Sequence, residues 1–222
     1  MALRGGEHRA RTATREDLMK TRSPLLGATA LATLGALLLP VASASGQEAD
    51  AARKAVIERG EYLVTIRLRC IGCHTPRIPT PEGSVRDSTR LLSGHPAEVE
   101  LPEIPEGIFG PDKWLVLVPS RGTAFVGEWG VSFPRNLTPD VETGLGSWTE
   151  EIFIKALRTG KDMGEGRDIL PPMPWREYAE YPDEDLRAVF AYLQSLEPIY
   201  NPVPDPISPT GERLTTMKKP KP

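Results

Sequence analysis

Cys70-Ile71-Gly72-Cys73-His74 decides how this chain is read. C-x-x-C-H is the spacing of c-type haem attachment. Two thiols three residues apart can add across the two vinyl groups of one haem. The imidazole that follows then meets the iron from the same side. Two blander readings compete. A zinc site would want a second ligand pair, and none is visible. A redox dithiol would want a βαβ setting, whereas the residues before Cys70 carry helical periodicity.

Cys70 and Cys73 are the only cysteines in the 222 residues. Once both are thioether-linked, no thiol remains for a disulfide, even in an oxidising compartment. The start of the chain points to such a compartment. Met19-Lys20-Thr21-Arg22 is a basic leader, Pro24 to Val41 is apolar, and Ala42-Ser43-Ala44 is a small-x-small cleavage site. That order is a secretory signal peptide over residues 1–44, with Met19 the better initiator than Met1. The expected location is the periplasm. An uncleaved signal would instead leave a membrane anchor.

Residues 1–44 hold six of the 27 Lys/Arg and three of the 30 Asp/Glu, so the remainder has a net charge of −6. No basic stripe exists to neutralise phosphates, which argues against a nucleic-acid partner. An acidic protein suits encounter with a basic patch on a redox partner.

The expected domain spans residues 45–197, with a loop-rich insert at about 75–135 and a proline-rich tail at 198–222. A first helix is expected from Gln47 to Arg69, with Ala52, Val56, Leu63 and Ile66 near one face. Gly60 interrupts it at about 1 kcal/mol relative to Ala. It either admits a close helix neighbour or is simply tolerated. The insert is punctuated by seven prolines between Pro76 and Pro111. Strand-like runs at Trp114–Val118 and Phe125–Phe133 suggest a small β-hairpin. A segment this long should pack on something or cover something. A second helix is expected over Trp148–Thr159, with Ser147 and Glu150 as a capping box and Gly160 as its stop. A third is expected over Pro182–Leu196, with Asp183, Glu184 and Asp185 at the favourable end of its dipole. The tail carries seven prolines in 25 residues. It reads as extended chain that wraps the domain or reaches a partner, with a disordered tail as the alternative.

From Ala49 to Leu196 the arrangement resembles a class I c-type cytochrome. The resemblance rests on Cys70-Ile71-Gly72-Cys73-His74-Thr75-Pro76, Asn136-Leu137-Thr138-Pro139-Asp140, Gly144-Leu145-Gly146-Ser147-Trp148, Leu170-Pro171-Pro172-Met173-Pro174 and Asp183-Glu184-Asp185-Leu186. These stretches are similar to those of periplasmic members, including cytochrome subunits of dehydrogenases. The resemblance implies a mainly α fold, with helices around one covalent haem. Its first and last helices would cross at Gly60, against Val189 and Tyr192. The long insert between His74 and Asn136 departs from the simplest members.

A second axial ligand is needed opposite His74. A methionine thioether would favour the ferrous iron. Met173 is the expected ligand, since Pro171, Pro172 and Pro174 stiffen its loop. A packing role is the alternative for Met173. Met163 sits in a glycine-flanked context and is expected to line the approach. Met163 and His95 are the rival ligands; His95 would give a bis-His iron of lower potential, but a lone surface histidine is the expected reading. The haem propionates need partners. Asn136, Thr138 and Trp148 have suitable donors, and Arg77 or Arg135 could pair with the charge.

The expected function is transfer of single electrons by one haem, with no substrate transformed by the protein itself. The protein would be a free periplasmic shuttle between redox partners. The alternative is the haem subunit of a membrane-bound or dehydrogenase complex. A haem enzyme or ligand sensor would want an open iron position or a second haem. Only one C-x-x-C-H is present, and the Met loop closes the iron.

Overall fold

In the computed structural model the described residues are 42–214. The signal peptide and its Met19 start lie outside them, save Ala42–Ala44, and so do residues 215–222 of the tail. The described chain is helix-rich, with only small two-stranded sheets. No helix among the described residues is long and apolar enough to cross a membrane.

Helix α1 spans Ala42–Tyr62 and passes into a π-helical turn at Leu63–Arg67. The expectation of one α-helix to Arg69 is therefore corrected. Leu68 N–H donates to the Leu63 carbonyl at 2.8 Å, and Cys70 N–H reaches back to Val64 at 2.9 Å. These wider loops replace the usual four-residue step, as π-turns near functional sites often do. They turn Leu63 and Val64 into the core. Arg69, at φ 55°, then breaks the helix. A single turn, α2 (Ile71–His74), follows.

Helix α3 spans Glu150–Thr159 and helix α5 spans Asp183–Gln194, with the short α4 (Trp175–Tyr178) between them. Thr149, not Ser147, caps α3. Its backbone is extended and its hydroxyl accepts from Ile152 N–H at 3.3 Å. Trp148 is drawn into the preceding turn by a bond from its N–H to Leu145 O, so the helix begins two residues later than the Ser147 reading places it. Gly160 ends α3 at φ 66°, as expected.

Helices α1 and α5 cross at Gly60. A Cβ there would lie 1.9 Å from the Ala188 carbonyl oxygen and 2.7 Å from Tyr192 Cβ. Ala188 takes the place expected of Val189. Arg59 forks onto both oxygens of Asp185 beside the crossing, at 2.9 and 3.0 Å. Leu63, Val64, Leu68, Leu145, Phe153, Leu157, Leu186, Val189 and Leu193 form the core between the helices.

The insert holds two hairpins. Strands β3 (Phe125–Gly127) and β4 (Gly130–Ser132) fall inside the expected Phe125–Phe133 run and pair Phe125 with Ser132. The Trp114–Val118 run contributes isolated bridges instead of a strand, Leu117 to Val126 and Trp114 to Phe109. Strands β1 (Arg77–Thr80) and β2 (Gly83–Arg86) form a hairpin that the prolines concealed. Pro79 weakens a strand reading, but a two-stranded ribbon has an open edge where its missing N–H costs little.

The tail wraps the domain as far as Leu214. Val131 and Ile207 exchange backbone bonds at 2.8 and 2.9 Å. Asn201 is buried, donating to the Ser93 and His95 carbonyls and accepting from Ala97 N–H and Arg90.

Candidate functional site

The turn α2 and the inner faces of α3 and α5 wall an apolar cavity. The Met173 loop, the β3–β4 hairpin and Pro206 of the tail close it. About 1230 Å³ inside it is free of protein atoms, counted out to its open mouth. Cys70, Cys73, His74, Trp148 and Met173 all line it, together with Arg135. Residues up to about 100 positions apart in sequence therefore meet at one site.

The geometry at His74 settles its tautomer. Nδ1 lies 2.8 Å from the Arg135 carbonyl oxygen, which can only accept, so Nδ1 carries the hydrogen and Nε2 the lone pair. Burial pushes the imidazole down to about 4, and the Arg135 carbonyl only partly opposes this. His74 is thus held neutral and oriented through Nδ1, with Nε2 left unprotonated, the form in which an imidazole can ligate a metal. Burial pushes the Cys70 thiol up to about 12, and it also raises Cys73. A redox dithiol usually has a depressed thiol, and burial here works in the opposite direction. No cluster of three or more His, Cys, Asp or Glu side chains able to hold a metal occurs among the described residues.

Met173 is partly buried against the core, and its loop is braced from the insert. Ser132 Oγ donates to the Pro171 carbonyl at 2.6 Å, and Trp175 N–H donates to the Met173 carbonyl at 2.9 Å. Met163 packs on the core but does not line the cavity. His95 is a correction: it is 1% exposed, not at the surface. Its Nε2–H donates to Val99 O, and its Nδ1 faces the Thr123 hydroxyl. It lines a separate cleft beside Arg121 and Glu100.

The polar end of the cavity carries donors with no protein acceptor. Trp148 Nε1 and Arg167 Nε are buried and unpartnered, and both residues line it. Arg135 stacks on the Trp148 ring, 5.0 Å from its centroid, and pairs with Asp162. Unmet buried donors are costly, and a ligand carboxylate would satisfy them. Asn136 and Thr138 do not line the cavity. Asn136 Oδ1 accepts from Thr138 N–H and its hydroxyl, and Asn136 Nδ2 donates to Thr143 and Ile199. These two residues tie the tail to the domain. Arg77 is held by Ser84 in the β1–β2 hairpin. Arg167 was not singled out from the sequence. Its place depends on the loop after α3, where Asp162 N–H donates to the Arg167 carbonyl at 2.8 Å.

This donor set fits the haem that the C-x-x-C-H spacing points to. Two thiols and an imidazole share one wall, and a thioether, an apolar lining and orphaned cationic and indole donors complete it.

No protein-family model matches the chain. It is 32% identical over 179 residues to the cytochrome c subunit of the quinone alcohol dehydrogenase of Gluconobacter oxydans, covering 78% of this chain and 28% of that protein. It is 28% identical over 184 residues to the fructose dehydrogenase cytochrome subunit of Gluconobacter japonicus, covering 81% and 30%. It is 28% identical over 158 residues to the gluconate 2-dehydrogenase cytochrome c subunit of Pantoea cypripedii, covering 71% and 27%. These relatives are cytochrome subunits of dehydrogenases, two of them named as cytochrome c. The chain spans less than a third of the length of each of them. Their shared name agrees with a c-type cytochrome, the reading that the cavity supports on its own chemistry.

Proposed function

We propose that the protein is an electron-transfer cytochrome carrying one covalent haem c, working as the electron-carrying partner of a periplasmic dehydrogenase complex. The observation that carries this is the single cavity shared by Cys70, Cys73, His74 and Met173. When bound, the haem supplies a one-electron ferric–ferrous couple. Cys70 and Cys73 would tether it, and the Nε2 lone pair of His74 would be the nitrogen ligand to its iron. Met173 would supply a thioether ligand to its iron, its loop braced by the bond from Ser132 Oγ to the Pro171 carbonyl. A soft thioether favours the ferrous iron. Trp148, Arg135 and Arg167 meet the propionates. Leu68, Phe125, Leu145 and Leu193 exclude water from the interior of the cavity. The protein transforms no substrate of its own.

A freely diffusing periplasmic shuttle is the second reading, favoured by the Ala42-Ser43-Ala44 cleavage site, which would release the chain from the membrane. One relative, similar over 37% of this chain, is a diheme cytochrome c-type protein of Cereibacter sphaeroides. This chain has one C-x-x-C-H, hence the proposal of one haem.

The test is an optical spectrum of protein made in a host competent for c-type haem attachment, with Met173→Ala alongside. The pyridine haemochrome should report one c-type haem per chain. The weak ferric thioether-to-iron band should be present in the wild type and absent from the variant. Its survival would move the ligand to another sulfur.

A further inference from the structure

We infer that Asp162 is a positioning residue for His74, acting through Arg135. The inference rests on the haem reading above and deepens it.

Three contacts make the chain of action. His74 Nδ1–H donates to the Arg135 carbonyl at 2.8 Å. The guanidinium of the same Arg135 is gripped by Asp162 Oδ1 and lies over the Trp148 ring. Asp162 and Trp148 thus fix the guanidinium end of the same residue whose backbone carbonyl accepts from the imidazole, so a shift of the Arg135 side chain is passed to its backbone and to His74. Asp162 is itself immobilised. Its N–H donates to the Arg167 carbonyl at 2.8 Å, and its carbonyl accepts from Gly166 N–H at 2.7 Å. A Cβ at Gly166 would lie 2.7 Å from that carbonyl oxygen, so the loop closes this tightly because residue 166 is glycine.

The charges explain why a carboxylate stands here at all. The Asp162 side chain is 8% exposed, and an unpaired carboxylate at that depth would be costly. Two guanidiniums, Arg135 and Arg167, line the same end of the cavity. Asp162 engages Arg135, while Arg167 keeps a buried Nε free for a ligand carboxylate. Arg135 is thus shared between Asp162 and the cavity, whereas Arg167 Nε has no protein acceptor. A second group that fixes the acceptor of a ligating histidine tunes both its orientation and its basicity. Removing a negative charge from the site also disfavours the ferric state relative to the ferrous.

The test uses the haem-loaded protein and two variants, Asp162→Asn and Asp162→Glu. Hydrogen exchange of the His74 Nδ1 proton is read by NMR, and the midpoint potential by redox titration. Asp162→Asn should speed that exchange about tenfold, the rate factor for roughly 1.4 kcal/mol, and shift the potential upward. Backbone amides of α5 should keep their protection, which separates loss of positioning from general loosening. Asp162→Glu, which keeps the charge but not the reach, should fall between wild type and Asp162→Asn in exchange rate. It carries the test alone if Asp162→Asn yields no holoprotein. An unchanged exchange rate, or an unchanged potential in Asp162→Asn, overturns the inference. Absence of c-type haem from the wild type is a different failure: it refutes the reading beneath the inference, and the inference with it.

Discussion

At the scale of single residues, burial sets the chemistry of both described histidines. His74 is kept neutral and aimed by one carbonyl. His95 is also kept neutral, by burial first, with the Val99 carbonyl and Thr123 opposing and Arg121 adding to the depression. Its consequence is thermodynamic. The folded protein holds His95 below its ordinary value of 6.5, so the unfolded chain takes up the proton first. Its contribution to stability is full above about pH 6.5 and is lost as pH falls towards the depressed value. His95→Gln should flatten the fall in stability between about pH 7 and pH 5, measured by denaturant melts of the haem-loaded protein. An equally steep fall in the variant would assign the effect elsewhere.

Residues of this kind also show where sequence reading stops. Cys70, Cys73 and His74 stand out in the sequence as one contiguous motif, and all three line the cavity. Met173 stood out because three prolines flank it. Arg167 carried no local signal, since its orphaned Nε depends on how the loop after α3 folds back. Asn136 and Thr138 have the right donors, but a one-dimensional pattern does not say which way a side chain points. In the fold Thr138 donates to Asn136, and Asn136 donates to Thr143 and the Ile199 carbonyl.

At the scale of elements, the crossing of α1 and α5 is the joint that holds the cavity walls. Gly60 lets α1 approach the backbone of Ala188, and no other residue type fits that space. Gly60→Ala should gain helix propensity of about 1 kcal/mol and lose more to overpacking, about 1–3 kcal/mol against backbone atoms that cannot yield. Thermal unfolding should show a lower midpoint. A stabilised variant would mean that the helices part without cost. Periodicity identified α3 and α5, because each has a single apolar stripe. The π-turn at Leu63–Arg67 was not legible, because it changes hydrogen bonding without changing the spacing of apolar residues. The β1–β2 hairpin was hidden by Pro79 and Pro81, which argue against strands wherever partners lie on both sides.

At the scale of the whole molecule, the insert and tail are parts of the site and not appendages to it. β3–β4 supplies Phe125 and Ser132 to the cavity, and the tail supplies Pro206. Asn201 ties the tail to the insert through four hydrogen bonds in a place that water does not reach. Asn201→Ala leaves two carbonyls and an N–H unmet, at about 1–3 kcal/mol for each group that finds no new partner. Chemical denaturation should show a loss at least at the upper end of that range. A loss of only a few tenths would mean that the tail is held elsewhere. The proline content of residues 198–222 could not distinguish a wrapped strap from a free tail, because extended chain has the same composition in both.

The central claim is that one porphyrin is bonded to the chain at two adjacent points. Intact-mass and peptide mass spectrometry of the exported protein tests it most directly. The account predicts the mass of one haem added to each chain, carried by the peptide that contains Cys70 and Cys73. Recovery of that peptide with both thiols free and no added mass would contradict it.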